Sequence, residues 1–210
     1  MKKSFKVMLA AVMLFSATLS ANAQFSKKES NRVPDRFHMG IRAGVTVSSL
    51  VGSDADYAAG SLTFPTAGFG IDFQVAPIPI FVGVGLNYMN QGYQREYSSR
   101  YYSEIEPFDV HSIQMPITAS YHINVAPNLF VNPFVGPWFS YNLNDFDADE
   151  DFDNDRFDYG LRFGCGVNFG RLYMDLGYDL GLKNWYDSSD HTAFTGIFFA
   201  TIGFNWAGSR

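Results

Sequence analysis

The sequence predicts an all-β fold, an eight-stranded antiparallel up-and-down transmembrane β-barrel. Eight segments alternate apolar residues with polar residues or glycine, as strands with two unlike faces do. The connections between these segments alternate between long and short. The 210 residues include 21 Phe, 12 Tyr and 19 Gly, and this composition favours closely packed strands.

Composition and charge exclude several classes of protein. The formal net charge is −6 and no basic stripe is present, which argues against a nucleic-acid partner. Cys165 is the single cysteine, so an internal disulfide is excluded. Its place inside a predicted strand favours a packed thiol over a nucleophile. No motif indicates a cofactor.

The first residues have the pattern of a cleavable signal peptide. A basic stretch, Met1–Lys6, precedes the apolar stretch Val7–Leu19, and small residues occupy positions 21 and 23. The apolar stretch is shorter than the roughly 20 residues of a spanning helix, so a retained anchor is the less favoured alternative. The residue directly after the cleavage site is Gln24 and not a cysteine, which excludes a lipoprotein. We therefore expect a signal peptide over 1–23, a periplasmic lead-in over 24–36, the barrel over 37–206 and a tail over 207–210.

The strands follow one another with a period of two. In the first, Phe37, Ile41 and Val45 share one face, while Arg42 and Gly44 lie on the other. A soluble sheet would give the same alternation with its apolar face turned into a core, so one strand does not decide between them. Length favours the membrane, because runs of about 9 to 12 residues exceed the usual five or six and suit a tilted crossing. The eight runs are Phe37–Ser48, Ala67–Val75, Ile80–Gln91, Ile113–His122, Val131–Tyr141, Asp158–Asn168, Leu172–Lys183 and Phe198–Trp206.

The lengths of the connections predict which end of the barrel faces the periplasm. Outer-membrane barrels have short periplasmic turns and longer outer loops, and an even strand number leaves both termini in the periplasm. Aromatic residues near strand ends fit an interfacial girdle, although strands are enriched in aromatic residues in any case. The predicted short turns are Ala76–Pro79, Asn124–Asn128 and Gly170–Arg171. The predicted long loops are Ser49–Leu62, Gly92–Asp109, Asn142–Phe157 and Asn184–Ala193.

Four motifs resemble those of the PorT-like small outer-membrane β-barrel proteins. They are Ser112–Ile117, Asn132–Trp138, Asp158–Val167 and Tyr178–Leu182. The resemblance covers Phe37 to Trp206 and implies the fold and an outer-membrane location. One departure is the tail after Trp206, where many barrels end on an aromatic residue. The family includes an accessory of protein secretion, but a shared fold does not transfer a function.

The alternation places charged residues inside the barrel. An eight-stranded barrel is just wide enough for side chains to fill it, and isolated charges there would be costly. We therefore expect an ion-pair and hydrogen-bond network that plugs the lumen, in preference to a proton or ion path. The predicted network residues are Arg42, Asp72, Asp158, Arg162, Asp175, Asp179 and Lys183.

An acidic segment, Asn144–Asp155, is the most distinctive stretch of the chain. Alternate acids suggest Ca²⁺, a hard cation that prefers several oxygen ligands. The EF-hand pattern is not met, and a solvated outer loop is the favoured interpretation. The metal hypothesis is weak divalent binding, bridging to anionic surface glycolipid, by Asp147, Asp149, Asp151 and Asp153.

Catalysis is the least favoured function. His111 and Ser112 are neighbours on a strand and therefore point to opposite faces, so they do not share a proton easily. The second pairing of hydroxyls with a histidine, Ser188–His191, lies in a predicted loop without an evident third partner. We expect a protein that is not an enzyme.

The expected role is structural, adhesive or assembly-accessory, exercised through the outer loops of a barrel in the bacterial outer membrane. A narrow channel for small solutes is the alternative, and a lipid-modifying enzyme is third. The expected partners are outer-membrane lipid, outer-leaflet glycolipid and, during insertion, the barrel-assembly machinery. The sequence identifies neither a solute nor a protein partner.

Overall fold

A computed structural model describes residues 37–51, 58–75, 78–98, 103–144, 156–183 and 194–207. Several predictions lie outside these residues: the signal peptide, the lead-in, the loop Asn184–Ala193, almost all of the acidic segment, and the tail beyond Ala207. Those predictions stay predictions.

The described residues form nine strand segments. They are β1 (Phe37–Val51), β2 (Ala58–Gln74), β3 (Ile80–Ser98), β4 (Ser103–Tyr121), β5 (Ile123–Ala126), β6 (Leu129–Asn142), β7 (Phe157–Phe169), β8 (Leu172–Gly181) and β9 (Phe194–Ala207). Among the described residues, no helix is long and apolar enough to cross a membrane.

The strands close into an eight-stranded antiparallel barrel. β1 pairs with both β2 and β9, and the remaining strands pair in sequence order. Both β4 and β5 pair with β6, so these two segments form one barrel strand that is interrupted at His122. The predicted fold class is confirmed.

The interruption at His122 corrects the predicted turn Asn124–Asn128. Residues 123–126 form β5, and only Pro127 and Asn128 make the turn. The backbone N–H of His122 donates to the carbonyl of Pro79 at 2.8 Å, outside the β4–β6 ladder. Its side chain is buried. The register with β6 is the same on both sides of His122, so the period-two pattern gives no sign of the interruption.

Two predicted long loops are also corrected. β3 and β4 are 19 residues each and stay paired from Gly92–Asp109 to Ser98–Ser103, and β2 already begins at Ala58. The loop predictions Ser49–Leu62 and Gly92–Asp109 therefore fell largely on strands. Strands that continue beyond the bilayer need no apolar face, so the alternation that marked the membrane-crossing part ends before the strands do.

The two faces of the barrel follow the predicted alternation. Large apolar side chains such as Ile41, Met174 and Ile202 are exposed on the outside. Polar and aromatic side chains such as Gln91 and Trp138 are buried inside. We call the end with the turns β2–β3, β5–β6 and β7–β8 the turn end, and the opposite end the loop end.

Candidate functional site: the barrel lumen

The centre of the lumen is crossed by a buried ion pair between β7 and β8. Arg162 donates to Asp179 through two parallel bonds, Nε to Oδ1 and Nη2 to Oδ2, each 2.6 Å long. Gln114 of β4 closes the arrangement: its Oε1 accepts from Arg162 Nη2 at 2.6 Å and its Nε2 donates to Asp179 Oδ2 at 3.0 Å. Arg162 is 4% and Asp179 0% exposed. We call these three residues the middle layer.

Bulky side chains pack around the middle layer. The guanidinium carbon of Arg162 lies 4.3 Å from the ring centroid of Phe199, a favourable cation–π arrangement. The sulfur of Met89 is 4.0 Å from Arg162 Nη2, and Trp138 is completely buried. These residues come from strands on several sides of the barrel, so the middle of the lumen is filled.

A second charged group lies on the turn side of the middle layer. Arg42 Nη1 of β1 is 3.7 Å from Asp175 Oδ2 of β8. Asp72 of β2 lies within electrostatic range of Arg42. The Tyr173 hydroxyl donates to the carbonyl of Ile41 at 3.2 Å and so fixes the phenol beside this pair.

Inward glycines make room for these charged side chains. A Cβ on Gly70 would collide with the guanidinium of Arg42, and one on Gly83 would collide with the carboxylate of Asp72. These glycines therefore serve close approach between neighbouring strands. They do not widen a bore.

A cavity of about 70 Å³ remains between the middle layer and the turn end. Its walls include the side chains of Asp72, Asp175, Asn132 and His122. Since a water needs at least about 10–15 Å³ of such volume, the cavity has room for about five waters.

Stacked rings lie at the turn end beside this cavity. The rings of Phe81 and His122 are stacked with centroids 4.0 Å apart, and His38 stacks on Phe81 at 5.2 Å. Phe81 is completely buried. The trio narrows the lumen at this end.

The loop side of the lumen is also occupied by polar side chains. Gln91 Nε2 donates to Asn142 Oδ1 at 3.2 Å, and the backbone N–H of Gly92 donates to the hydroxyl of Ser48 at 3.0 Å. Asp158 is buried here, and its Oδ1 accepts from the backbone N–H of Tyr159.

The predicted network residues separate into groups. Arg162 and Asp179 meet in the middle layer, Arg42 and Asp175 meet on the turn side, and Lys183 follows β8 at the loop-end rim. The Nζ of Lys183 donates to the carbonyl of Phe157 at 3.2 Å. Asp72 lines the turn-side cavity, and Asp158 lies on the loop side.

Two further predictions concern the metal hypothesis and the neighbouring His111 and Ser112. The four aspartates of the metal hypothesis, at positions 147, 149, 151 and 153, lie outside the described residues. Within the part of the chain that is described, no three His, Cys, Asp or Glu side chains converge on a metal position. His111 has a half-exposed side chain, whereas Ser112 is 1% exposed inside the barrel, so the two do point to opposite faces.

Sequence reasoning missed three contributors to the filled lumen, namely Gln114, Trp138 and Phe199. Each shares the face of an inward residue two positions away, as Trp138 does with Gly136 and Ser140. The predicted network contained only charged inward residues and left out the uncharged residues on the same face.

The chain was compared with known proteins. Residues 22–187 match a family model described as the outer membrane protein β-barrel domain, which covers more than half of the chain. The chain belongs to this family. Membership gives this outer-membrane barrel its location, the bacterial outer membrane, whereas the narrower PorT-like resemblance stays a prediction. No curated protein sequence matches the chain.

Several solved structures of outer-membrane proteins are similar to this barrel. Neisserial surface protein A has a TM-score of 0.44 and 14% identity, with 80% of this chain and 97% of that chain covered. OprG from Pseudomonas aeruginosa has a TM-score of 0.48 and 11% identity, covering 82% and 97%. Ail from Yersinia pestis, solved with the heparin analogue sucrose octasulfate, has a TM-score of 0.41 and 13% identity, covering 81% and 99%.

Proposed function

We propose that this protein is a closed, non-conducting and non-enzymatic outer-membrane barrel that binds a partner protein at its loop end. The observation that carries the closed state is the middle layer, in which Arg162, Asp179 and Gln114 satisfy one another inside the lumen. The binding role rests on the hairpin formed by β3 and β4.

A closed lumen follows from the cost of opening it. Separating a buried, bidentate ion pair leaves two uncompensated charges, and removing one partner of such a pair typically costs about 3–5 kcal/mol. The residues around the pair would also have to move, since Trp138 and Phe199 are packed inside the same section. Solute passage would need both changes at once.

The β3–β4 hairpin provides the surface for a partner. At 19 residues, β4 is roughly 60 Å long, about twice the thickness of the hydrocarbon core. With both termini in the periplasm, the far half of the hairpin projects outside the cell.

In this projecting part, one edge of β4 has no partner strand within the part of the chain that the structure describes. β4 pairs with β6 only from Ser112 onward, and the carbonyl of His111 accepts from the N–H of Leu143. Among the described residues, Ser103 to Val110 pair with β3 alone. An exposed edge accepts an extended strand from another protein through main-chain hydrogen bonds.

A cell-attachment assay tests the role of the hairpin. In the test variant, residues 96–105 are replaced by Asn-Gly, a two-residue turn that matches the Arg95–Glu106 register. Cells expressing the parent or the variant settle on surfaces coated with a panel of extracellular proteins. We expect attachment of the variant to fall to the level of cells without the protein. The control variant shortens the 184–193 connection by the same number of residues, and equal attachment of the parent and both variants would contradict the proposal.

Cysteine labelling in intact cells tests the orientation. In a Cys165→Ala background, Ser98→Cys at the loop end should react with a membrane-impermeant maleimide. Arg171→Cys, in the β7–β8 turn, should react after the outer membrane is permeabilised. The reverse pattern would place the loop end in the periplasm and remove the adhesive role.

A narrow channel is the second candidate, and the turn-side cavity is the observation that favours it. About 70 Å³ of space reaches the middle layer from the turn side. A channel would need this space to continue past Arg162, and a pocket beside Arg162, Met89 and Phe199 holds only about 10 Å³. Conductance measurements distinguish the two candidates.

A further inference from the structure

We propose that the cavity on the turn side of the middle layer binds a small monovalent cation. This site is separate from the loop-end surface of the proposed function and stands without it. The cavity is lined by inward side chains from many strands, and its position is fixed by the barrel itself.

The first argument is charge balance. Arg162 is matched by Asp179 in the middle layer, which leaves Arg42 to balance both Asp175 and Asp72. Arg42 lies 3.7 Å from Asp175, and among the described residues no ion pair holds Asp72. When both carboxyls are ionised, one negative charge is left over beside the cavity, and burying an unmatched charge is costly. A monovalent cation restores neutrality.

The second argument is the presence of buried polar atoms without partners. Asn132 is 6% exposed, and its Oδ1 has no hydrogen-bond partner among the described residues although it lines the cavity. The Nδ1 of His122, equally buried, is also without a partner and also lines the cavity. Arg42 Nε, a donor in the same lining, has no hydrogen-bond partner among the described residues either. Since buried polar atoms are nearly always satisfied, these atoms indicate an occupant, and a cation together with oriented water satisfies both the acceptors and the donor.

The third argument is the kind of ligand that fits. Carboxylate and amide oxygens are hard donors, which suit alkali and ammonium ions better than soft metals. The volume of about 70 Å³ accommodates such an ion with a few waters. An anion would meet two carboxylates, and the lack of a tight three-residue cluster in the described residues argues against a dehydrated divalent or transition metal.

The charged pair beside the cavity is less tightly enclosed than the middle layer. The side chains of Arg42 and Asp175 are 18% and 15% exposed, whereas those of Arg162 and Asp179 are 4% and 0% exposed. The space beside the pair therefore has room for an ion or water, and the middle layer does not.

Thermal unfolding at constant ionic strength tests the proposal. The full protein is purified from outer membranes in zwitterionic detergent with N-methylglucamine chloride, whose cation is too large for the cavity. NaCl, KCl, NH₄Cl or MgCl₂ then replaces it stepwise. The midpoint of unfolding is read from the folded and unfolded bands on a gel.

Three variants accompany the parent protein. Asp72→Asn removes the unmatched charge, and Asn132→Leu removes the neutral acceptor with little change in volume. Asp109→Asn is the matched control, because Asp109 is a half-exposed carboxylate at the loop end. The measured quantity is the change of the midpoint with the cation, so a change in basal stability does not obscure the result.

We expect a saturable rise of the midpoint by about 2–4 °C or more with at least one monovalent cation. The rise should disappear in Asp72→Asn, weaken in Asn132→Leu and persist in Asp109→Asn. Equal midpoints in all salts would overturn the proposal, as would an unchanged rise in Asp72→Asn. A response to Mg²⁺ alone would overturn the assignment to a monovalent ion.

Discussion

Arg162 is the residue on which the filled lumen depends most. Its guanidinium contacts Asp179, Gln114 and the ring of Phe199 at once, and all of these side chains are buried. The sequence predicted that Arg162 faces inward among charged residues. The turn Gly170–Arg171 sets the β7–β8 register, which places Asp179 directly opposite Arg162. The contact of Arg162 with Gln114 of β4 was not predictable, because it joins two strands that are not neighbours.

Replacing Arg162 should destabilise the barrel strongly. Arg162→Met leaves Asp179 buried without a counter-charge, so we expect a loss of about 3–5 kcal/mol in the free energy of unfolding. The triple variant Arg162→Met, Asp179→Leu, Gln114→Leu should recover most of this loss, because it removes every orphaned polar group. Urea unfolding in lipid vesicles measures both. A triple variant no more stable than the single one would contradict the ion-pair explanation.

Two of the tight turns between strands contain a residue with a positive φ angle. Asn128 and Gly170, in the β5–β6 and β7–β8 turns, have positive φ angles of 61° and 60°. The N–H of Gly170 donates to the carbonyl of Asn128 at 3.0 Å, which links the two turns. Asn and Gly are the residues that adopt this left-handed conformation at low cost.

Substitutions at these two positions should therefore differ in how much stability they cost. Asn128→Val places a β-branched residue at positive φ and should cost about 1–2 kcal/mol of stability. Gly170→Asn should cost less, since Asn tolerates a positive φ better than a β-branched residue does and no atom lies within 4 Å of the added Cβ. The same urea unfolding experiment measures both variants, and equal losses would argue against backbone strain as the cause.

Strand bounds were predictable only inside the bilayer. The apolar face of β3 is plain up to Tyr88, whereas residues 89–98 continue the strand without it. The same holds for the first half of β4. The break at His122 also left no signal, because the register with β6 is the same before and after it.

At the scale of the whole molecule, the alternation of apolar and polar side chains predicted most of the fold. Eight amphipathic strands in sequence order close in one simple way, and the family match agrees with that outcome. The contents of the lumen were less predictable, because packing between Trp138, Met89 and Phe199 joins strands that are far apart in sequence. The central claim is that this packing leaves the barrel closed.

Single-channel conductance in a planar bilayer tests that claim most directly. Protein shown to be folded by its heat-shifted gel mobility should give no current steps. A triple variant, Arg162→Ala with Trp138→Ala and Phe199→Ala, removes the ion pair as well as the packing and serves to show that an emptied barrel is detected. Stable and reproducible steps from the parent protein, altered by neutralising Arg42 or Asp72, would contradict the closed lumen and establish the channel instead.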